Sequence, residues 1–163
     1  MSKRQTETFE FMPPEFGRVG AYLETLCESG DGWINLLPGI VEDEEDVQEA
    51  SSGGVFSMLF GSKTSPVTMG TLMAPKRARA PFDGVTIGLM HPAGAKVVRQ
   101  LAERGVTLPS GWIVRQDHPR RGLVVRSSVG AAAADVVAWA VQAGGALCRQ
   151  EMTGQWRAVV YLP

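Results

Sequence analysis

The chain has 163 residues and a mass of 17.5 kDa, 44% apolar and 20% charged. This composition fits one or two folded domains and excludes wholesale disorder and a large multi-domain enzyme. Two distant cysteines, Cys27 and Cys148, exclude a disulfide framework and a thiolate metal site and predict a reducing, cytoplasmic compartment. The net charge of −1 hides a polarity: residues 1–50 carry three cations and twelve carboxylates, residues 51–163 thirteen cations and five carboxylates, or −9 against +8. No apolar h-region stands at the start, and no apolar run is long enough to span a bilayer, so neither a signal peptide nor membrane association is expected.

The first predicted element is a strand near Thr6–Phe11. A helix follows from Pro14, with Phe16, Val19, Leu23 and Leu26 at helical spacing and Gly30 as its stop. Gly32-Trp33-Ile34 opens a second strand, and Glu42 to Asp46 form an acidic loop. Val55–Phe60 and Val67–Leu72 read as strands, separated by loops at 51–54 and 61–66. Residues 75–82, with two prolines and three cations, read as a linker between a first repeat over 1–74 and a second over 83–163.

The second repeat opens with alternating Val85, Ile87 and Leu89, then a helix started by Pro92 and closed by Gly105. Trp112–Gln116 and Gly122–Arg126 read as strands about an Asp-His-Pro turn. Ser127 or Ser128 is expected to cap a helix from about Gly130 to Ala143, which Gly144-Gly145 stops. That helix is apolar almost all round, which places it between the two repeats or in an interface. Strands near Ala146–Met152 and Trp156–Leu162, with a turn at Thr153-Gly154-Gln155, complete the chain.

An internal match supports the division. At an offset of 78, Met12, Pro14, Val19 and Leu23 meet Met90, Pro92, Val97 and Leu101. One residue later, Gly32-Trp33-Ile34 meets Gly111-Trp112-Ile113. The predicted fold class is therefore α+β, with two tandem βαβ-containing repeats packed as one pseudo-symmetric body. The second repeat is ferredoxin-like, βαββαβ plus one strand. Trp33 and Trp112, matched in the repeat, are expected to be equivalent core anchors.

The chemistry is sparse. The two histidines, in Met90-His91-Pro92 and Asp117-His118-Pro119, are expected at one edge of the sheet. There His91, His118, Arg120, Arg121 and the start of the helix after Pro92 form a candidate site for a small anion. Cys27 falls on an apolar helical stripe, and Cys148 has no histidine near it in sequence. No nucleophile elbow, phosphate loop or zinc-helix motif is present, so no catalytic residue, cofactor or metal is assigned.

Three functions follow from these features. The leading one is a non-catalytic binding or interaction protein whose oppositely charged halves dock on each other, between copies, or on a charged partner protein. The second is an anionic-ligand protein or enzyme using the histidine–arginine edge. The third is weak nucleic-acid binding by cations such as Lys76, Arg115, Arg126 and Arg157. Against the third stand a pI near 6.1 and few strand aromatics (Trp112, Trp156, Tyr161).

Overall fold

Strand periodicity and helical stripes build one layer of helices on one sheet. The protein is described by a computed structural model over residues 3–41, 68–76 and 84–163. The predicted acidic loop 42–46, the strand Val55–Phe60, the loops 51–54 and 61–66, and the linker beyond Lys76 lie outside the described residues. The elements are β1 (Thr6–Phe11), α1 (Gly17–Ser29), β2 (Trp33–Ile40), β3 (Met69–Met73), β4 (Thr86–Met90), α2 (Val97–Glu103), β5 (Ile113–His118), β6 (Gly122–Arg126), α3 (Ala133–Leu147) and β7 (Met152–Tyr161). None of these helices is long and apolar enough to cross a membrane.

All seven strands join one antiparallel sheet in the order β1-β7-β2-β3-β4-β6-β5. The arrangement has an internal rhyme: β1–α1–β2 brackets β7, and β4–α2–β5 brackets β6. The chain is α+β, as expected, but its last strand departs from the expected repeat. β7 lies in the first half of the sheet, between β1 and β2, and β3 occupies the place beside β4.

Alternation along each strand sorts side chains between two faces. Phe9 and Phe11 of β1, Ile34 and Leu36 of β2, Leu72 of β3, Ile87 and Leu89 of β4, Leu123 and Val125 of β6, and Trp156, Ala158 and Val160 of β7 are all buried on the helix side. There they meet Val19, Leu23 and Leu26 of α1, Val97 and Leu101 of α2, and the apolar flank of α3.

Helix α3 touches α1, α2, β3 and β4, so it bridges the two halves, as its all-round apolarity predicts. It crosses α1 closely because Gly20 faces Ala134; a Cβ at Gly20 would lie 3.6 Å from the Ala134 nitrogen. Trp139 anchors it, edge-on to Trp112 at 5.5 Å and donating its indole N–H to the Thr107 carbonyl.

Several local expectations are corrected. Gly144-Gly145 does not stop α3, which runs through both residues to Leu147. A Cβ at Gly144 would come within 3.3 Å of the Trp156 ring, so this glycine lets the helix approach the sheet closely. Neither Ser127 nor Ser128 caps α3; Ala132 holds that position, and the Ser127 hydroxyl accepts from the Val85 N–H. The expected Thr153-Gly154-Gln155 turn is the interior of one ten-residue strand. The helix expected from Pro92 begins only at Val97, and α1 begins at Gly17 rather than at Pro14. Gly30, at φ 70°, does end α1, with its N–H on the Leu26 carbonyl.

Trp33 and Trp112 are not equivalent. Trp112 is 8% exposed on the helix side, whereas Trp33 is half-buried on the opposite face, where its ring stacks on Tyr161 at 4.7 Å. Ile34, one residue later, is fully buried, while the matched Ile113 is 54% exposed. The same Gly-Trp-Ile sequence thus enters the two strands one residue out of phase, which moves every side chain to the other face. At the offset of 78 the partner of Trp112 is Ile34, and both are buried.

Candidate functional site

The expected histidine–arginine edge resolves into separate turns. Strands β4 and β5 run in the same direction with β6 between them, so His91 and His118 do fall at one end of the sheet. They serve different structures there. His91 is buried, and its Nδ1 accepts the Ala93 N–H at 3.2 Å. His118 pairs across from Gly122, and its Nδ1 accepts the N–H groups of Arg120 and Arg121, both at 3.1 Å.

The start of α2, expected to be open to an anion, is occupied. The Asp117 carboxylate accepts the N–H of Val97 at 3.1 Å and that of Val98 at 3.2 Å. An internal anion therefore caps the positive end of this helix. Arg120 and Arg121 are exposed on the turn that His118 organises. Burial lowers the pKa of His91, opposed in part by the nearby Asp117 charge. Burial raises that of the Cys27 thiol, so it is not an activated nucleophile. Among the described residues, no three His, Cys, Asp or Glu side chains group as metal ligands.

A different site forms on the other face, at the opposite end of the strands, about 16 Å away along the five residues of β4 at ~3.3 Å per residue. The helices occupy one side of the sheet, and no described element covers the other. Met73, Met90 and Ile113 are among the exposed large apolar residues of this open face. Cross-strand register aligns one row of side chains over most of the sheet. Tyr161 faces Trp33, Trp33 faces Met73, Met73 faces Thr86, Thr86 faces Arg126, and Arg126 faces Ile113.

A cleft of about 360 Å³ runs along this row, walled by Asp31, Trp33, Met73, Lys76, Thr86 and Arg126. The Gly30–Gly32 turn after α1 and the Ala74–Lys76 segment after β3 form its rim. Arg4 lies 4.8 Å from the Trp33 ring centre and pairs with Asp31 at 3.2 Å. The Asp31 pKa is lowered by the Gly32 N–H, by the Arg4 guanidinium and by the Lys76 charge. Arg4 and Asp31 thus pair with each other, and Lys76 is exposed at the rim beside the Trp33–Tyr161 stack.

Sequence reasoning picked out Lys76, Arg126 and Tyr161 but not their meeting, because they come from three strands or strand ends joined only by register. Thr86, Met73 and Asp31 carry no motif. Of the strand aromatics expected to stack bases, Trp112 and Trp156 are buried under the helices, and only Tyr161 lies on the open face. Set against protein-family models, curated proteins and solved structures, the chain matches none.

Proposed function

We propose that this chain is a non-catalytic binding protein whose working surface is the open face of the sheet, and that its partner is anionic there. The supporting observation is the one-sided sheet: helices bury one face, while the other aligns the Trp33–Tyr161 stack with exposed methionines, with the exposed Lys76 and with Arg157, which pairs with Glu10 at 3.4 Å. Exposed apolar groups supply contact area, and the cations supply steering and selection by charge. Among the described residues, Lys76 and the Arg157–Glu10 pair lie on the open face, while Glu15, Glu24 and Glu28 lie on or beside α1 on the other side.

Retention on immobilised heparin, a sulfated polyanion, tests the reading. The unmodified protein is expected to be held at low ionic strength and released by salt. Lys76→Glu/Arg157→Glu should elute at clearly lower salt, whereas Lys96→Glu/Arg99→Glu, the same charge change on α2, should elute as the unmodified protein does. Absence of retention, or equal loss in both double variants, overturns the proposal.

A further inference from the structure

We infer that two copies of this chain join edge to edge through β1, antiparallel, into one continuous sheet. The inference goes beyond the proposed binding of an anionic partner and does not depend on it. Its basis is a contrast between the two edges of the sheet, β1 and β5. Edge strands are commonly kept from pairing by bulges, prolines or outward charges. β5 carries a bulge, its register shifting between Val114 and Gln116. β1 carries none: its six residues, Thr-Glu-Thr-Phe-Glu-Phe, include no proline or lysine and pair with β7 in unbroken register. Its two charges are engaged within the chain, Glu7 by the Tyr22 hydroxyl and Glu10 by Gln155 and Arg157.

The phase of the β1–β7 ladder decides which main-chain groups face outward. The Leu162 N–H donates to the Gln5 carbonyl at 2.9 Å, so Gln5, Glu7, Phe9 and Phe11 turn their main-chain groups towards β7. The alternation of an antiparallel ladder then aims the N–H and C=O groups of Thr6, Thr8 and Glu10 away from the sheet. All three residues are exposed.

This edge is complementary to itself. Residues directly opposed in an antiparallel pair share a face, so the two copies keep their helices on the same side. With Thr8 opposite Thr8 of the second copy, Thr6 of each copy meets Glu10 of the other, and all three outward residues exchange paired hydrogen bonds. Centring the pair on Glu7 would oppose two like charges, and centring it on Phe9 would leave Thr6 opposite Met12, beyond the strand.

Charge favours the Thr8-centred register. It sets Glu7 of each copy opposite Phe9 of the other. The Arg18 guanidinium stands 4.0 Å over the Phe9 ring and has no carboxylate partner among the described residues. Glu7 receives Tyr22 on Oε2, so Oε1, which meets only the exposed Gln5 amide at 3.5 Å, is turned to Arg18 of the second copy. The two-fold axis forms this contact twice. Because the bulged β5 edge does not repeat the pairing, the assembly closes at two copies, and their open faces become one surface.

Sedimentation velocity of the full chain over a range of concentrations, together with hydrogen exchange of the β1 amides, tests this. A dimer is expected, with the Thr6, Thr8 and Glu10 amides gaining protection as it forms. Thr8→Pro removes an N–H that the β7 ladder does not use, at an edge position where proline is tolerated. It should keep the far-ultraviolet circular dichroism and become monomeric. Thr8→Lys keeps every main-chain group but opposes two like charges, and should raise the dimer dissociation constant about fivefold, less at high salt. Ile113→Lys, an exposed change on the other edge, should leave the dimer unaltered.

A monomer at every concentration, a dimer in which those three amides exchange freely, or a dissociation constant unmoved by Thr8→Lys overturns the inference. Heparin retention reads the open face separately: a retained monomer fails only this inference, and an unretained dimer fails only the other.

Discussion

The two strand–helix–strand units differ most where their sequences agree best. Gly-Trp-Ile opens β2 in one unit and precedes or opens β5 in the other, yet Trp33 lies on the open face and Trp112 under the helices. β2 is an inner strand paired on both sides, so its alternation is held by two ladders. β5 is an edge strand with a register shift between Val114 and Gln116, and its start is free to turn Trp112 towards Trp139. Identity of residues therefore does not imply identity of role. Strand phase decides the face, and pairing decides the phase.

The helices differ in a related way. α1 has thirteen residues and no side-chain cap, whereas α2 has seven and takes its cap from Asp117 on β5. A short helix gains little from propagation, so it needs tertiary support to set its start. Pro92 does not begin α2 because Gly94 and Lys96 stand at φ 82° and 57° between it and Val97, and the Asp117 carboxylate caps the first turn there.

These contrasts can be broken by substitution, the most costly first. Leu23→Ala and its matched Leu101→Ala each remove a buried side chain and should cost about 2–5 kcal/mol in urea unfolding. Nearly equal losses would show that the two helices are seated alike; a loss below about 1 kcal/mol at Leu101 alone would break the parallel. Trp112→Ala should cost about 3–5 kcal/mol, and Trp33→Ala clearly less, because only the first empties the core. Equal losses would contradict the opposite phases of the two strands.

Asp117→Asn should cost about 0.5–2 kcal/mol by weakening the α2 cap, read as a lower urea midpoint at unchanged slope. Glu28→Gln, an acidic residue of α1 with no capping role, should leave the midpoint within about 0.5 kcal/mol.

The smallest expected effect is one of pH. Burial lowers the folded-state pKa of His91 below its ordinary 6.5, so the unfolded chain binds more protons as pH falls through 6.5. His91 therefore contributes stability above that pH, and the contribution declines on acidification until both states are protonated. The Ala93 N–H on Nδ1 supports the neutral form, since a proton there would displace that hydrogen bond. Between pH 7.5 and 5.5, His91→Gln should flatten the fall in thermal midpoint. An unchanged slope in His91→Gln would show that other groups govern the acid limb.

Much of the fold was legible in the sequence. Alternation in Thr6–Phe11 and Val85–Leu89, the stripe of Val19, Leu23 and Leu26, and the apolarity of residues 133–143 follow from side-chain periodicity, which any helix or strand must obey to bury one face. The glycine stop at Gly30 was legible for the same local reason: its φ of 70° suits a residue without Cβ. Gly144 shows the limit. The same residue type reads as a stop in sequence and serves as a close-approach point in space, because its neighbour Trp156 belongs to another strand.

The candidate site was legible only in pieces. His91 and His118 stood out because histidine is rare here, but rarity is not geometry, and each ring accepts backbone N–H groups of its own turn. By itself the sequence determined the alternation within each strand, the apolar stripes and the charge polarity, since all three are properties of neighbours along the chain. Only the tertiary structure decided that β7 enters between β1 and β2, that Asp117 caps α2, and that Trp33, Met73, Thr86 and Arg126 align. Register between strands distant in sequence is set by whole-sheet pairing and burial, which no local pattern encodes.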